Sequence, residues 1–195
     1  MDTNRISHLE ERCIASKLIF DGKVVHLYVD RVSLPNGESA TREYVKHIGA
    51  VAVLPLTDEG EVICVRQYRY AHRCVLTEIP AGKLDAPDED HVEAALRELR
   101  EETGAHCKAL THLGMFRSTP AILDEKIDLY LAEGLTFGDT DPDEDEFLET
   151  VRIPLATLVD QVMCGEITDG KTQVAVLQVN ELLRRRNTQS RRNAP

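Results

Sequence analysis

Three glutamates within one helical turn are the residues of this chain best suited to do chemistry. Glu98, Glu101 and Glu102 stand three and four positions apart, spacings that return to nearly the same side of an α-helix. Ala94, one turn earlier on that side, adds little bulk. The three charges repel one another, and they fall near the C-terminal end of the predicted helix, where the helix dipole disfavours anions. Arg97 offsets only part of this. Divalent cations would make the arrangement favourable, because a hard ion such as Mg²⁺ takes oxygen ligands and bridges carboxylates to substrate phosphates.

The bulk charge points the same way. The net charge is −11, which repels nucleic acid and anionic membranes. It would also repel a phosphate-bearing substrate unless metal ions or local arginines reversed the field. Aromatic residues make up 5% and Trp is absent, so a base-stacking surface for single strands is not expected. Five cysteines, Cys13, Cys64, Cys74, Cys107 and Cys164, include no CxxC pair. That usage fits a reduced cytoplasm better than a disulfide framework or a zinc site. The first twelve residues are charged and contain no apolar h-region, and no apolar run approaches a membrane span of ~20 residues.

The glutamates need a helix, and the sequence supplies its punctuation. Asp90-x-x-Glu93 has the form of a capping box that starts the helix near His91, and Gly104 provides a C-terminal stop. Val92, Ala95, Leu96 and Leu99 form the expected apolar stripe, with the glutamates on another face. Around this helix the chain reads as strands. Cys13–Phe20 and Val24–Leu34 flank a turn at Asp21-Gly22, and Ala40–His47 follows a turn at Pro35-Asn36-Gly37. Ala50–Leu56, Val62–Arg66, Val75–Ile79, Ala109–Phe116 and Ile127–Ala132 are further strand candidates. Asp139–Glu146 is an acidic loop. Leu155–Cys164 and Thr172–Arg186 read as helices, and the polar segment 187–195 as a disordered tail. Strands, helix, strands, helices is the order of an α+β fold. The expectation is a layered α/β/α sandwich on a mixed sheet, preceded by a small N-terminal antiparallel sheet. The expected domains are 1–45 and 46–186.

The segment from Gly82 to Ala105 resembles the signature of the Nudix hydrolases, G-x5-E-x7-R-E-U-x-E-E-x-G-U with U apolar. Gly82, Glu89, Arg97-Glu98-Leu99, Glu101-Glu102 and Gly104-Ala105 supply its positions. Six residues rather than five separate Gly82 from Glu89. The extra one falls in the turn-rich LDAPD, which leaves the helix register untouched. VRQYRY, EIPAGKL, STPAILDE, the DEDE loop and GEITDGKT extend the likeness to roughly residues 40–180, and they resemble the ADP-ribose pyrophosphatase branch. Pro120, 15 residues after Ala105, stands where that branch carries a marker proline. Its usual Pro-Gly is Pro120-Ala121 here.

What the resemblance implies is specific. The Ala81 carbonyl, Glu98, Glu102 and Glu146 would hold Mg²⁺, or Mn²⁺ in its place, with Glu101 serving a further ion or supporting the ligands. Glu144 would be the general base. Arg97 and Glu89 would pair to fix the loop–helix geometry around Gly82. Arg69 would meet the diphosphate or the terminal ribose, and Glu78 would bond the ribose or support the loop. Arg42 and Glu43 would reach substrate near a dimer interface. The implied reaction is hydrolysis of ADP-ribose to AMP and ribose 5-phosphate. The alternatives are another nucleoside diphosphate sugar such as GDP-mannose, or a non-catalytic ADP-ribose sensor. The partners implied are a nucleotide-sugar substrate and a second copy of the chain, joined by exchange of the N-terminal strands. His47 and His91 have no expected catalytic role.

Overall fold

The computed structural model describes residues 7–141 and 147–192. The chain divides into two compact units, Met1–Ile48 with Arg117–Glu125, and Gly49–Phe116 with Lys126–Pro195.

The first unit is a three-stranded antiparallel sheet of β1 (Arg12–Asp21), β2 (His26–Ser33) and β3 (Ser39–Lys46), in that order. The β2–β3 hairpin closes where expected, with Gly37 at φ +86° donating its N–H to the Leu34 carbonyl. The first hairpin is wider than the sequence suggests. Val24 and Val25 belong to the turn and not to β2, because Gly22 N–H bonds Val25 O at 2.9 Å and His26 closes on Asp21 at 2.6 Å. Every residue of β1 is exposed, and its register with β2 breaks between Cys13 and Ala15 and again between Leu18 and Phe20. Tyr28 and Tyr44 stack across β2 and β3 with ring centroids 5.5 Å apart. The segment 117–125 belongs to this unit, an association no sequence pattern announced. Leu123 bridges Val45, and the Asp124 carboxylate accepts the His47 N–H at 2.6 Å.

The second unit contains the layers. β4 (Ala50–Pro55), β7 (Ala81–Lys83), β9 (Ala109–Phe116) and β10 (Ile127–Glu133) form a sheet of order β7-β4-β10-β9, in which only β4 and β10 run parallel. A second, antiparallel sheet has the order β12-β5-β6, made from β5 (Glu61–Arg69), β6 (Cys74–Glu78) and β12 (Glu149–Pro154). Two short strands, β8 (Ala105–His106) and β11 (Thr136–Phe137), pair with each other. The helices are α1 (His91–Thr103), α2 (Leu155–Met163) and α3 (Gly170–Arg192).

The mixed sheet is covered on both faces, as its continuous apolar runs require. Val51, Val53, Tyr130 and Ala132 pack with Ala94, Ala95 and Leu99 of α1. The alternate residues Ala52, Leu54, Leu129 and Leu131 pack with Leu158 of α2 and Val176 and Val179 of α3. This is the expected α/β/α sandwich on a mixed sheet.

Two expectations need correction. The stripe on α1 is rotated: Val92 and Leu96 are 45% and 40% exposed, while Glu98 and Glu102 are buried beside Ala94, Ala95 and Leu99. The buried face is Ala94, Ala95, Glu98, Leu99 and Glu102, and helical spacing leaves Val92 and Leu96 at its solvent edge. Segment 187–192 is helical rather than a disordered tail. Thr188 and Ser190 hydroxyls donate to the carbonyls of Arg184 and Arg186, four residues back, so the polar run extends α3.

Candidate active site

α1 begins and ends as its sequence dictates. The Asp90 carboxylate accepts the N–H groups of Val92 and Glu93 at 2.8 and 3.1 Å, a conventional N-cap. Gly104 closes the helix at φ +66° and donates to Arg100 O at 2.7 Å, a left-handed cap that favours glycine. Just beyond, Gly138 N–H bonds Gly104 O, and Asp141 N–H bonds Glu101 O at 3.0 Å.

Between these ends the helix presents its glutamates to the backbone of β7. Glu98 is 8% exposed and Glu102 3%. The Ala81 N–H donates to Glu102 Oε2 at 3.2 Å. Gly82 lies directly beneath Glu98: a Cβ there would sit 2.0 Å from Oε1 and 2.1 Å from the carboxyl carbon. Only glycine admits the carboxylate this close to the strand.

Arg97 binds this arrangement together. Its guanidinium reaches Glu98 Oε1 at 2.7 Å, Glu101 Oε2 at 3.3 Å and Glu89 Oε1 at 3.3 Å, and it donates to the Lys83 carbonyl at 3.2 Å. Glu89 in turn accepts the Asp85 N–H at 2.6 Å, which closes the loop between β7 and α1. Burial disfavours the Arg97 charge, yet Glu98, Asp85 and Glu89 outweigh it and hold its pKa well above the usual range. A single guanidinium thus faces four carboxylates, and Glu102 lies one turn beyond Glu98.

A second cluster flanks the first at the end of β6. Glu78, 1% exposed, accepts two bonds from Arg69 at 2.7 Å each and a third contact from Lys171. Asp169 holds Lys171 at 3.1 Å and caps α3 through the Thr172 N–H at 3.0 Å. The Thr172 hydroxyl accepts the buried Ile79 N–H at 2.9 Å. Burial opposes the Glu78 charge, but Arg69 and Lys171 prevail and hold its carboxyl below the ordinary value. Lys171, Asp169 and Thr172 were given no role from sequence. GEITDGKT was noticed as a motif, but its partner Glu78 lies 93 residues before Lys171, beyond the reach of any local pattern.

The structure therefore brings together Ala81, Gly82, Glu89, Arg97, Glu98, Glu101 and Glu102, and joins Arg69 to Glu78. Arg42 and Glu43 lie on β3 of the first unit, where the Arg42 guanidinium bonds Glu11, at 2.8 Å through Nε. Pro120 also belongs to that unit, in a turn whose Thr119 carbonyl accepts from Ile122 and Leu123. Ala121 has no positive φ, so alanine meets no backbone strain there. Glu144 and Glu146 lie outside the described residues. His91 and His112 both bond Asp128, at 2.8 and 2.7 Å, away from the glutamate cluster.

Residues 46–186 match the NUDIX domain. The chain belongs to the Nudix hydrolase family. Among relatives of this Nudix hydrolase, ADP-ribose pyrophosphatase of Bacillus subtilis is 46% identical, over 90% of this chain and 96% of its own length. The methanol dehydrogenase activator of Bacillus methanolicus is 42% identical over the same shares. In fold, the chain is similar to a crystal structure of an ADP compounds hydrolase, with a TM-score of 0.80 at 24% identity, covering 91% of this chain and 96% of that one.

Proposed function

We propose that this Nudix hydrolase cleaves the diphosphate of ADP-ribose with Mg²⁺, giving AMP and ribose 5-phosphate. One observation carries the reading. Two glutamates a helical turn apart are buried against one strand, Glu98 where Gly82 leaves space for its carboxylate and Glu102 at the Ala81 N–H. Nudix hydrolases generally use a divalent metal, and the carboxylate oxygens of Glu98 and Glu102 suit a hard one. Glu98, Glu102 and the Ala81 carbonyl would hold it, with Glu101 at its margin. When bound, the cation supplies the positive charge that lets a diphosphate approach so acidic a protein.

The chain's own groups do the rest. Arg97 and Glu89 keep the β7–α1 loop closed over Glu98. Arg69 meets the diphosphate, and Glu78 supports the loop that leads to Ala81 and Gly82. Water attacks one phosphorus while the bond from that phosphorus to the bridging oxygen breaks. Glu144 takes the water's proton, and Glu146 would help hold the metal. The identity and extent of the match to the Bacillus subtilis pyrophosphatase support ADP-ribose over GDP-mannose.

An apolar exposed strand in the first unit supports a homodimer. β1 exposes Ile14, Leu18, Ile19 and Phe20, at 42–56% each, and a second copy of the chain is the natural cover for this strand. Exchange of N-terminal strands would bring Arg42 and Glu43 to substrate. All five cysteines are free, which supports a cytoplasmic setting.

Product analysis tests the proposal: ADP-ribose, GDP-mannose and a deoxynucleoside triphosphate are each incubated with Mg²⁺, with and without EDTA. AMP and ribose 5-phosphate from ADP-ribose alone, lost with EDTA, is the expected result. Preferential cleavage of GDP-mannose would overturn the substrate assignment. E102Q keeps the shape and the bond to Ala81, so it should fold normally while kcat falls about a thousandfold. A near-wild-type rate would refute the metal assignment.

A further inference from the structure

Lys171 is an unusual place for a buried ammonium. It lies in the first turn of α3, where the helix dipole disfavours a cation, and it is only 8% exposed. Neither helix formation nor core packing calls for it there. Its contacts are the Glu78 and Asp169 carboxylates.

The three groups around Glu78 differ in access. The side chain of Glu78 is 1% exposed, that of Lys171 9% and that of Arg69 39%. Arg69 is the one able to turn toward a ligand. In its present position, however, two of its five N–H donors, on Nε and Nη2, form a bidentate pair with Glu78. A buried carboxylate with a single cationic partner does not release it, because the charge left behind would be uncompensated. Lys171 removes that obstacle. It touches the same oxygen, Oε2, that Arg69 Nη2 occupies, and Asp169 holds it in place.

We propose that Lys171 is a positioning residue: the standing counter-ion of Glu78, whose presence frees Arg69 to exchange Glu78 for the substrate's diphosphate. The proposal rests on the reading of Arg69 as the diphosphate-binding arginine. Without Lys171, Arg69 stays on Glu78, and the cost appears in substrate binding rather than in the chemical step.

The test is steady-state kinetics on the full-length enzyme with ADP-ribose and Mg²⁺, alongside thermal melts. R69A should raise KM substantially. K171M should raise KM about tenfold with kcat within about threefold, and K171R should return KM to within about twofold of wild type. Because Lys171 acts through Arg69, R69A/K171M should be no worse than R69A. Effects that multiply in the double variant would indicate a separate structural role and overturn the proposal. Should K171M fold poorly, E78Q/K171M removes the buried charge together with its cation. In the E78Q background K171M should change KM by less than about twofold, and a tenfold rise there would equally overturn the proposal. An R69A effect with wild-type KM in K171M defeats the role of Lys171 alone. An unchanged KM in R69A defeats the diphosphate role of Arg69, and the proposal with it.

Discussion

The two charge clusters of the second unit are built on opposite principles. Around α1, Asp85, Glu89, Glu98 and Glu101 share Arg97, with Arg100 also at Glu101. At the end of β6, Glu78 and Asp169 meet Arg69 and Lys171, two against two. The first cluster is in deficit and has a use for charge brought from outside. The second is complete and can rearrange without importing anything. Capturing a cation and redirecting an arginine are different tasks, and the two balances suit them.

The sharpest way to break the comparison is to move the deficit. G82A would place a methyl 2.0 Å from Glu98 Oε1, so that carboxylate must swing off the strand. We expect kcat to fall about a hundredfold, as for other losses of a preorganised charge, with the change in circular dichroism confined to the noise. A fully active G82A would mean that Glu98 need not lie against the strand.

The balanced cluster should answer in stability. T172V leaves the buried Ile79 N–H without its acceptor, at a cost of about 2 kcal/mol, so melts should show Tm lower by about 4–8 °C. An unchanged Tm would show that α3 does not hold β6 in place. Acid should act there too. Because the native Glu78 carboxyl lies below its ordinary value of 4.5, the native state binds fewer protons at this site than the unfolded chain. Its stabilisation is complete above pH 4.5 and is lost as pH falls through the lower native value. Wild-type Tm should therefore drop more steeply than that of E78Q as the pH is lowered from 4.5 to 2.5. Parallel curves would contradict the ion-pair origin of the shift.

The smallest effect belongs to the outward face of α1. V92T and L96Q touch side chains that are nearly half exposed, and each should change stability by less than about 0.5 kcal/mol with kcat unaltered. A large loss in denaturant titration would restore these residues to the core.

Much of α1 is readable because helical spacing and capping are local. Asp90, Gly104 and the three glutamates announce themselves within fifteen positions. The error over Val92 and Leu96 has a physical origin. A hydrophobic pattern assumes that apolar residues choose the buried face, whereas here Glu98 and Glu102 share it with Ala94, Ala95 and Leu99. β7, β8 and β11 have three or two residues each, too few to display a period. The bond from α3 to Glu78 and the union of 117–125 with the first unit are long-range pairings, and local sequence carries no record of them.

The two register breaks in β1 have a consequence for how far association can run. An exposed strand ten residues long offers unmet backbone donors and acceptors, and a flat one would template copy after copy into a fibre. Bulges at Cys13–Ala15 and Leu18–Phe20 coil the ribbon and interrupt the regular ladder. Such an edge is a poor template for repeated strand addition.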